Sequence, residues 1–278
     1  MTRKANQSGE LKAGEFYGSV SSKQGVPSSI ITEVVHSKGR RLPEHSHELA
    51  FFTLLLDGSY AESYGRKSFS YRPFTVLWHP SGISHKDEIG DHGGRFLSVE
   101  IRKQGLETLR DFASVPADFH ERGTPLVWLA CRLYHEFRNW QNCSGLVAEG
   151  LTLEMLALSA RKDAAPQKRP PGWLGRVIDL LDEEFPFTPA MASLAKEAGV
   201  HPVHLAAVFR KFKGETVGEY VQSRRIEYAC KELGIDDKPL ADIAVDAGFS
   251  DQSHFTRVFR RFTGVTPGAF RDSLRSGV

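Results

Sequence analysis

The sequence predicts a two-domain α+β protein, β-rich in its N-terminal half and all-α in its C-terminal half. Three observations carry that expectation. Short apolar runs separated by turn residues occupy 29–101, the apolar spacing becomes helical from about Pro125, and a proline-bearing polar segment interrupts the helical pattern at 163–172. The chain's 278 residues suffice for two domains of roughly 100–200 residues each. Its 40% hydrophobic and 25% charged content argues against collagen-like, low-complexity and largely disordered classes.

Residues 1–28 are expected to form an N-terminal extension. Its opening Met1–Glu10 is polar, and no run approaches the roughly 18 apolar residues of a membrane span, so neither export nor insertion is expected. The expected location is the cytoplasm, with no membrane partner. From Ser29 to Ile101 the strand candidates are Ile30–Val35, Ala50–Leu56, Lys67–Tyr71, Thr75–Trp78 and Arg95–Ile101, with turns at Asp57-Gly58 and Pro80-Ser81-Gly82. That spacing reads as an antiparallel barrel or sandwich. Leu126, Leu129, Ala130, Leu133, Tyr134 and Phe137 then fall at helical spacing, and Leu146–Arg161 carries a second apolar stripe, which predicts a helical hairpin. Its apolar faces are too wide for an isolated hairpin, so it either packs on the β-rich core or forms a dimer interface. These elements make a domain at 29–162, followed by a linker at 163–172 whose three prolines forbid a continuous helix. Residues 173–278 form the helical domain. Cys131, Cys143 and Cys230 are odd in number and include no CxxC pair, so the expectation is reduced thiols, neither disulfides nor a zinc site.

An internal repeat carries the strongest signal. Leu194–Val200 recurs as Ile243–Phe249 at an offset of 49 residues, and Leu205, Val208, Phe209, Arg210, Lys211, Phe212 and Gly214 recur 50 residues on as Phe255, Val258, Phe259, Arg260, Arg261, Phe262 and Gly264. Each copy has the grammar of a helix-turn-helix. Ala195 or Ala244 lets a second helix cross closely, Gly199 or Gly248 ends the first helix, and the second helix buries its apolar residues at i, i+3, i+4 and i+7. The opposite face carries Val203, His204, Ala206, Ala207, Arg210 and Lys211 in the first copy, and Gln252, Ser253, Thr256, Arg257, Arg260 and Arg261 in the second. A helix fits the major groove of B-DNA, where Gln, Ser, Thr and Arg read base edges or grip phosphates. One such face is usually just solvated surface. Two copies, joined by a helix at about Val217–Leu233 that can hold them one groove spacing apart, favour double-stranded DNA as the partner.

On these residues, 187–271 resemble the paired helix-turn-helix domain of the AraC/XylS family of bacterial transcription regulators, most closely in ADIAVDAGFSDQSHFTRVFRRFTGVTPGAFR (Ala241–Arg271). The resemblance implies two recognition helices in successive major grooves, with Arg257 at a base-reading position beside Gln252, Ser253 and Thr256. The matching position of the first copy is Ala207, a departure that leaves a methyl for contact with thymine. It also implies an activator acting with RNA polymerase and a homodimer joined through the helical hairpin; no enzyme is expected, because no Ser-His-Asp, Cys-His or phosphate-cradling glycine motif appears.

In the β-rich half, Gly39-x5-His45-Ser46-His47 and Pro80-x-Gly82-x-x-His85 resemble the two motifs of the cupin barrel, a common sensor domain in that family. Period two along a strand places His45 and His47 on one face. Metal-binding cupins carry a glutamate four or five positions after HxH; here those positions are Phe51 and Phe52. The expectation is therefore no metal and no cofactor, with a pocket for a small-molecule effector lined by His45, His47, His85, Trp78 and Phe51. Structural histidines and a three-imidazole metal site stand as the other readings.

Charge divides unevenly. The net charge is only +2, and residues 172–278 carry 14 Lys and Arg against 15 Asp and Glu. A net of −1 on the DNA-reading half predicts weak non-specific affinity and a modest salt slope, with binding resting on clusters such as Arg210-Lys211, Arg224-Arg225 and Arg257/Arg260-Arg261. Two alternatives remain: a cupin-type oxygenase or isomerase with a DNA-binding tail, and a constitutive DNA-binding protein whose barrel serves only dimerisation.

Overall fold

The computed structural model describes residues 9–111, 113–161, 170–187, 189–235 and 237–275. The chain divides into two compact units, one N-terminal to the 165/166 boundary and one running from there to Arg275. Most of the expected linker, 163–169, lies outside the described residues.

The first unit contains β1 (Glu10–Leu11), β2 (Ser19–Gly25), β3 (Ser29–His36), β4 (Ser46–His47), β5 (Phe51–Tyr64), β6 (Lys67–Tyr71), β7 (Thr75–His79), β8 (Lys86–Ile101), α1 (Lys103–Arg110), β9 (Phe119–Arg122), α2 (Pro125–Arg138) and α3 (Ser144–Ala160). The main sheet is antiparallel in the order β2-β3-β8-β5-β7-β9, with β6 on the far half of β5, while β1 and β4 form a separate parallel pair. The sheet thus begins before Ser29, and the expected extension is corrected from Glu10 onward. The reason is local: β2 is a mostly exposed edge strand of polar sequence, SVSSKQG, whose backbone pairs with β3 without an apolar pattern to announce it.

The long strands β5 and β8 pair along two stretches separated by register shifts at Leu55/Asp57 and Gly58/Tyr60. Bulges of this kind bend a strand and raise its twist. Gly58 sits at this bend with φ +89°, and a Cβ there would lie 2.1 Å from the Gly93 carbonyl oxygen, so only glycine fits. Beyond the bend, Tyr60, Glu62 and Tyr64 follow one another at the strand period of two.

The hairpin of α2 and α3 packs on this sheet, so the chain itself covers much of its apolar surface. Leu126, Val127, Leu133, Tyr134 and Phe137 of α2 are buried. Arg138 donates to Glu33 on β3 at 2.6 Å and Tyr134 donates to the same carboxylate at 3.2 Å, while Ser28 donates to Glu149 of α3. Glu33 is 1% exposed, so leaving its oxygens without these donors would be costly, and the network fixes where the hairpin docks.

The second unit contains α4 (Gly172–Glu183), α5 (Met191–Ala198), α6 (Pro202–Lys213), α7 (Val217–Ile235), α8 (Leu240–Asp246), α9 (Gln252–Thr263) and α10 (Pro267–Arg275). Leu174, Val177 and Leu181 of α4 pack with Leu194, Ala195, Leu205 and Phe209, and the N-terminal end of α7 closes this core with Val217, Tyr220 and Val221. The rest of α7 packs against α8, α9 and α10, where Phe255, Phe259 and Phe270 form an aromatic ladder with ring centroids 5.5 Å apart at each step. One helix therefore belongs to both cores, and Ile226, Ala229, Cys230 and Leu233 along it are fully buried. Among the described residues no helix is long and apolar enough to cross a membrane.

Candidate nucleic-acid interface and sensor pocket

The two sequence repeats fold as two helix-turn-helix units, α5–α6 and α8–α9. In α9 the Asp251 side chain caps the helix, its Oδ1 accepting from the His254 N–H at 2.8 Å. With Phe255, Val258 and Phe259 buried, helical geometry turns Gln252, Ser253, Arg257, Arg260 and Arg261 outward and leaves Thr256 half-exposed. These six residues and Thr266 line one open groove, so all six positions expected from the sequence share a surface. Arg261 donates to Gln222 of α7, and its guanidinium lies 5.2 Å from the Phe262 ring centroid, which orients it along the unit.

In α6, Leu205 and Phe209 are buried, and Val203, His204, Ala206, Ala207, Arg210 and Lys211 are exposed. Its cap is weaker: His201 Nδ1 accepts from the Val203 N–H at 3.3 Å. Val203 is 71% exposed, an apolar side chain left in solvent on the face where α9 carries polar ones.

Arg224 and Arg225 correct the charge inventory drawn from the sequence. Arg224 is buried, pairs with Glu227 at 2.8 Å and lies over the Tyr220 ring. Arg225 donates to the carbonyls of Phe185 and Pro186, each at 3.0 Å, and so clasps the turn after α4. Both are engaged within the helical unit, so of the cationic clusters expected from the sequence those on α6 and α9 are the ones left facing outward.

In the first unit His45, His47 and His85 come together as their spacing predicts. Their ring centroids lie 4.4 Å (His45–His85), 5.2 Å (His45–His47) and 5.6 Å (His47–His85) apart, and His45 and His85 are bridged through their backbones. His45 Nδ1 meets the Pro43 carbonyl at 2.9 Å, and His85 Nδ1 meets the Ile83 carbonyl at 3.2 Å. A carbonyl only accepts, so each Nδ1 is the donor and each Nε2 presents a lone pair. Burial pushes His47 down to about 2 and His85 down to about 3, with neighbouring imidazoles adding to both shifts; burial also lowers His45. All three rings are neutral at pH 7.

Three further residues, missed in the sequence, complete the cluster. Glu62, on β5 beyond the bend and 1% exposed, accepts from Tyr60 Oη at 2.6 Å and Tyr64 Oη at 3.0 Å, and pairs with His79 Nε2 at 2.6 Å. Burial opposes charge on both partners, but their attraction outweighs it, holding Glu62 below and His79 above their ordinary ranges. Asp87 faces His45 Nε2 at 3.6 Å and His85 Nε2 at 3.7 Å, and burial together with the Glu62 charge raises it to about 7. The legible signals were the Tyr60-x-Glu62-x-Tyr64 alternation and the place of His79 just before Pro80-x-Gly82.

The expected effector pocket is divided. Strand pairing sets Phe51 opposite His79 and Phe52 opposite Trp78, so Phe51 stacks on His79 with centroids 4.4 Å apart. Trp78 instead packs on Phe52 from the other face and donates to the Pro116 carbonyl at 3.1 Å. His45, His47, Phe51, His85 and Asp87 border a cavity of about 40 Å³, too small for the roughly 300–1,000 Å³ of an organic-ligand site. A second cavity of about 300 Å³ is bordered by Glu62, Tyr64, Tyr71, Trp78, His79, Asp118 and His120. Trp78 thus leaves the histidine pocket, and the larger of these two cavities lies on the Glu62–His79 side.

Residues 194–273 match the family model described as a helix-turn-helix domain. The chain is 36% identical over 98 residues to the regulatory protein SoxS of Salmonella typhimurium, across 35% of this chain and 92% of that protein. It is 42% identical over 81 residues to the probable transcription factor PqrA of Proteus vulgaris, across 29% of this chain and 66% of that one. A putative AraC-like transcription regulator of Streptomyces antibioticus is 30% identical over 193 residues, covering 64% of this chain and 62% of its own length. The chain therefore spans just under two thirds of the last two relatives.

Proposed function

The chain belongs to the AraC family of transcription regulators, and from that premise we propose a one-component regulator that activates transcription at a promoter. It is a DNA-binding transcriptional regulator; the proposal concerns how it reads DNA and what controls it. The observation that carries the reading is the α9 face, where a capped, phenylalanine-anchored helix turns six polar or cationic side chains onto one open groove. In this reading α9 and α6 enter successive major grooves. Arg257 reads a base edge, Gln252, Ser253 and Thr256 flank it, and Arg260, Arg261, Arg210 and Lys211 grip phosphates. Val203, His204 and Ala207 give α6 a sparser readout weighted towards thymine methyl contacts.

The test is a titration against an operator obtained by selection from random duplexes. Arg257→Ala is expected to weaken specific binding by about 1–3 kcal/mol and to relax preference at one base pair. Unchanged affinity and selectivity would remove Arg257 from the role.

The first unit senses a small molecule in this reading, and the cavity of about 300 Å³ beside Glu62 and His79 is the site that supports it, in place of the divided His45/His47/His85/Trp78/Phe51 pocket. An effector regulates only if it binds the DNA-competent arrangement with a different affinity. RNA polymerase and a second copy of the chain complete the partners, with the cytoplasm as the place of action and no catalytic activity assigned. Because the sheet covers the hairpin, a dimer through it would rest on the exposed Leu146 and Val147 of α3. A constitutive binder with a silent barrel is the competing account; it predicts no ligand-dependent change in operator affinity across a metabolite screen of the full chain.

A further inference from the structure

We propose that Glu62, His79 and His85 form a binding site for one divalent transition-metal ion, with the carboxylate supplied from mid-β5 and not from the segment that follows His47. The proposal revises the expectation of no metal, and it stands independently of how the helical unit reads DNA.

The donor atoms of these three residues all lie within 4.8 Å of one another. An ion held at about 2.0–2.2 Å from each ligand needs donors no more than roughly 4.4 Å apart. Glu62 Oε1 and His85 Nε2, at 3.9 Å, already satisfy that, and Glu62 and His79, at 2.6 Å, need only separate as an ion takes the place of their shared proton. The three ligands come from β5, the end of β7 and the loop before β8, so the sheet holds them without help from a mobile segment.

Orientation points the same way. Ile83 fixes the His85 proton on Nδ1, leaving the Nε2 lone pair facing Glu62 Oε1 at 3.9 Å and Asp87 Oδ1 at 3.7 Å. These distances are too long for hydrogen bonds, and a cation between the lone pair and the carboxylate oxygens would satisfy them together. A metal-ligating histidine typically donates its other ring proton to a carbonyl or carboxylate, as His85 does, and a ligating carboxylate is held by outer hydrogen bonds, as the Tyr60 and Tyr64 hydroxyls hold Glu62. Among the described residues the ion-pair partners of Glu62 are His79 and His85, with no lysine or arginine among them. His79 Nδ1 is buried without a hydrogen-bond partner, so His79 lacks the outer acceptor that His85 has, and strand β7 with the stacked Phe51 sets its ring.

His45, His47 and His85 also lie close enough to hold an ion, but His85 has one free lone pair and can serve only one of the two sets. The Glu62 set brings an anionic ligand, and the cavity of about 300 Å³ reaches Glu62 and His79, leaving room for water or an effector oxygen at an open position. Two imidazoles and one carboxylate suit zinc, iron(II) or cobalt(II); magnesium and calcium prefer all-oxygen sites.

The experiment strips the full-length protein with a chelator and titrates it with cobalt(II) and zinc(II), reading cobalt visible absorption and metal content per chain. One ion per chain is expected in the wild type. Glu62→Gln and His79→Gln are expected to weaken binding by more than about 100-fold, because outer partners alone carry about 10–100-fold, while His47→Gln retains it. Circular dichroism checks that each variant is folded. X-ray absorption of the cobalt-loaded wild type needs no variant: two imidazoles with one carboxylate support the site, and three imidazoles overturn it. Loss of binding in His47→Gln with retention in Glu62→Gln overturns it as well, as does a folded wild type that takes up no stoichiometric ion.

Discussion

The two helix-turn-helix units share a sequence pattern but solve different packing problems, and the difference is clearest at their turns. Gly199 ends α5 with φ +66° and has no atom within 4 Å of where a Cβ would stand. Gly248, its counterpart before α9, has φ +83°, and a Cβ there would meet the Pro186 carbonyl oxygen at 2.1 Å. That carbonyl belongs to the turn after α4 and is also the acceptor for Arg225 of α7. The first turn is free at its surface, whereas the second is wedged against the turn after α4. Identical residues at matching positions thus carry unequal constraints: Gly199 is needed for its backbone conformation alone, Gly248 for conformation and for space.

The largest expected effect follows from that contrast. Gly199→Ala is expected to destabilise the helical unit by about 1–2 kcal/mol, the cost of a left-handed alanine. Gly248→Ala adds overpacking against backbone that cannot rotate away, for a total of about 2–5 kcal/mol. Urea unfolding followed by helical circular dichroism measures both, and equal losses would abolish the distinction between the two turns.

Arg225 tests the same wedge from the opposite side. It donates to two carbonyls of the turn that Gly248 abuts, and charged hydrogen bonds contribute about 1.5–3 kcal/mol. Arg225→Met keeps much of the apolar stem and is expected to destabilise by about that amount, with the loss felt at the α4–α5 turn. Amide exchange localises it. If Arg225 instead grips DNA, the variant would keep its stability and lose affinity for the operator.

The repeat was legible because it is written in local spacing: apolar residues at i, i+3 and i+4 define the buried face of α9, and the polar face follows by exclusion. The fates of Arg224 and Arg225 were not, because whether a guanidinium on α7 is buried depends on Glu227, Tyr220 and the distant turn at Phe185 and Pro186. His45, His47 and His85 were legible through their motifs. Glu62 and His79 belong to no motif; the bend in β5 and the register that sets Phe51 opposite His79 bring them to the same place. That register also puts Trp78 on the opposite face from Phe51, so assigning both to one pocket required knowledge of the pairing. The β2 strand was hidden for a simpler reason, since an edge strand exposed on most positions needs no apolar alternation.

The smallest expected effect separates the two caps. The Asp251 carboxylate accepts from the His254 N–H at 2.8 Å, a bond that lowers the pKa of the group, with Ser250 adding to the shift. A carboxylate whose folded pKa lies below its unfolded one contributes its stabilisation above the unfolded value, about 3.9 for aspartate, and loses it as pH falls through the folded value. The α9 N-terminus is therefore expected to keep its protection through neutral and mildly acid pH and to fray below about pH 4. Asp251→Asn preserves a capping oxygen without the charge, so that step should vanish while the helix keeps its start. Amide exchange at His254 in α9, with Val203 in α6 as the comparison, reads the difference directly. An identical acid-dependent loss in the Asn variant would show that the step comes from elsewhere in the fold, leaving Asp251 and His201 as caps of the same kind.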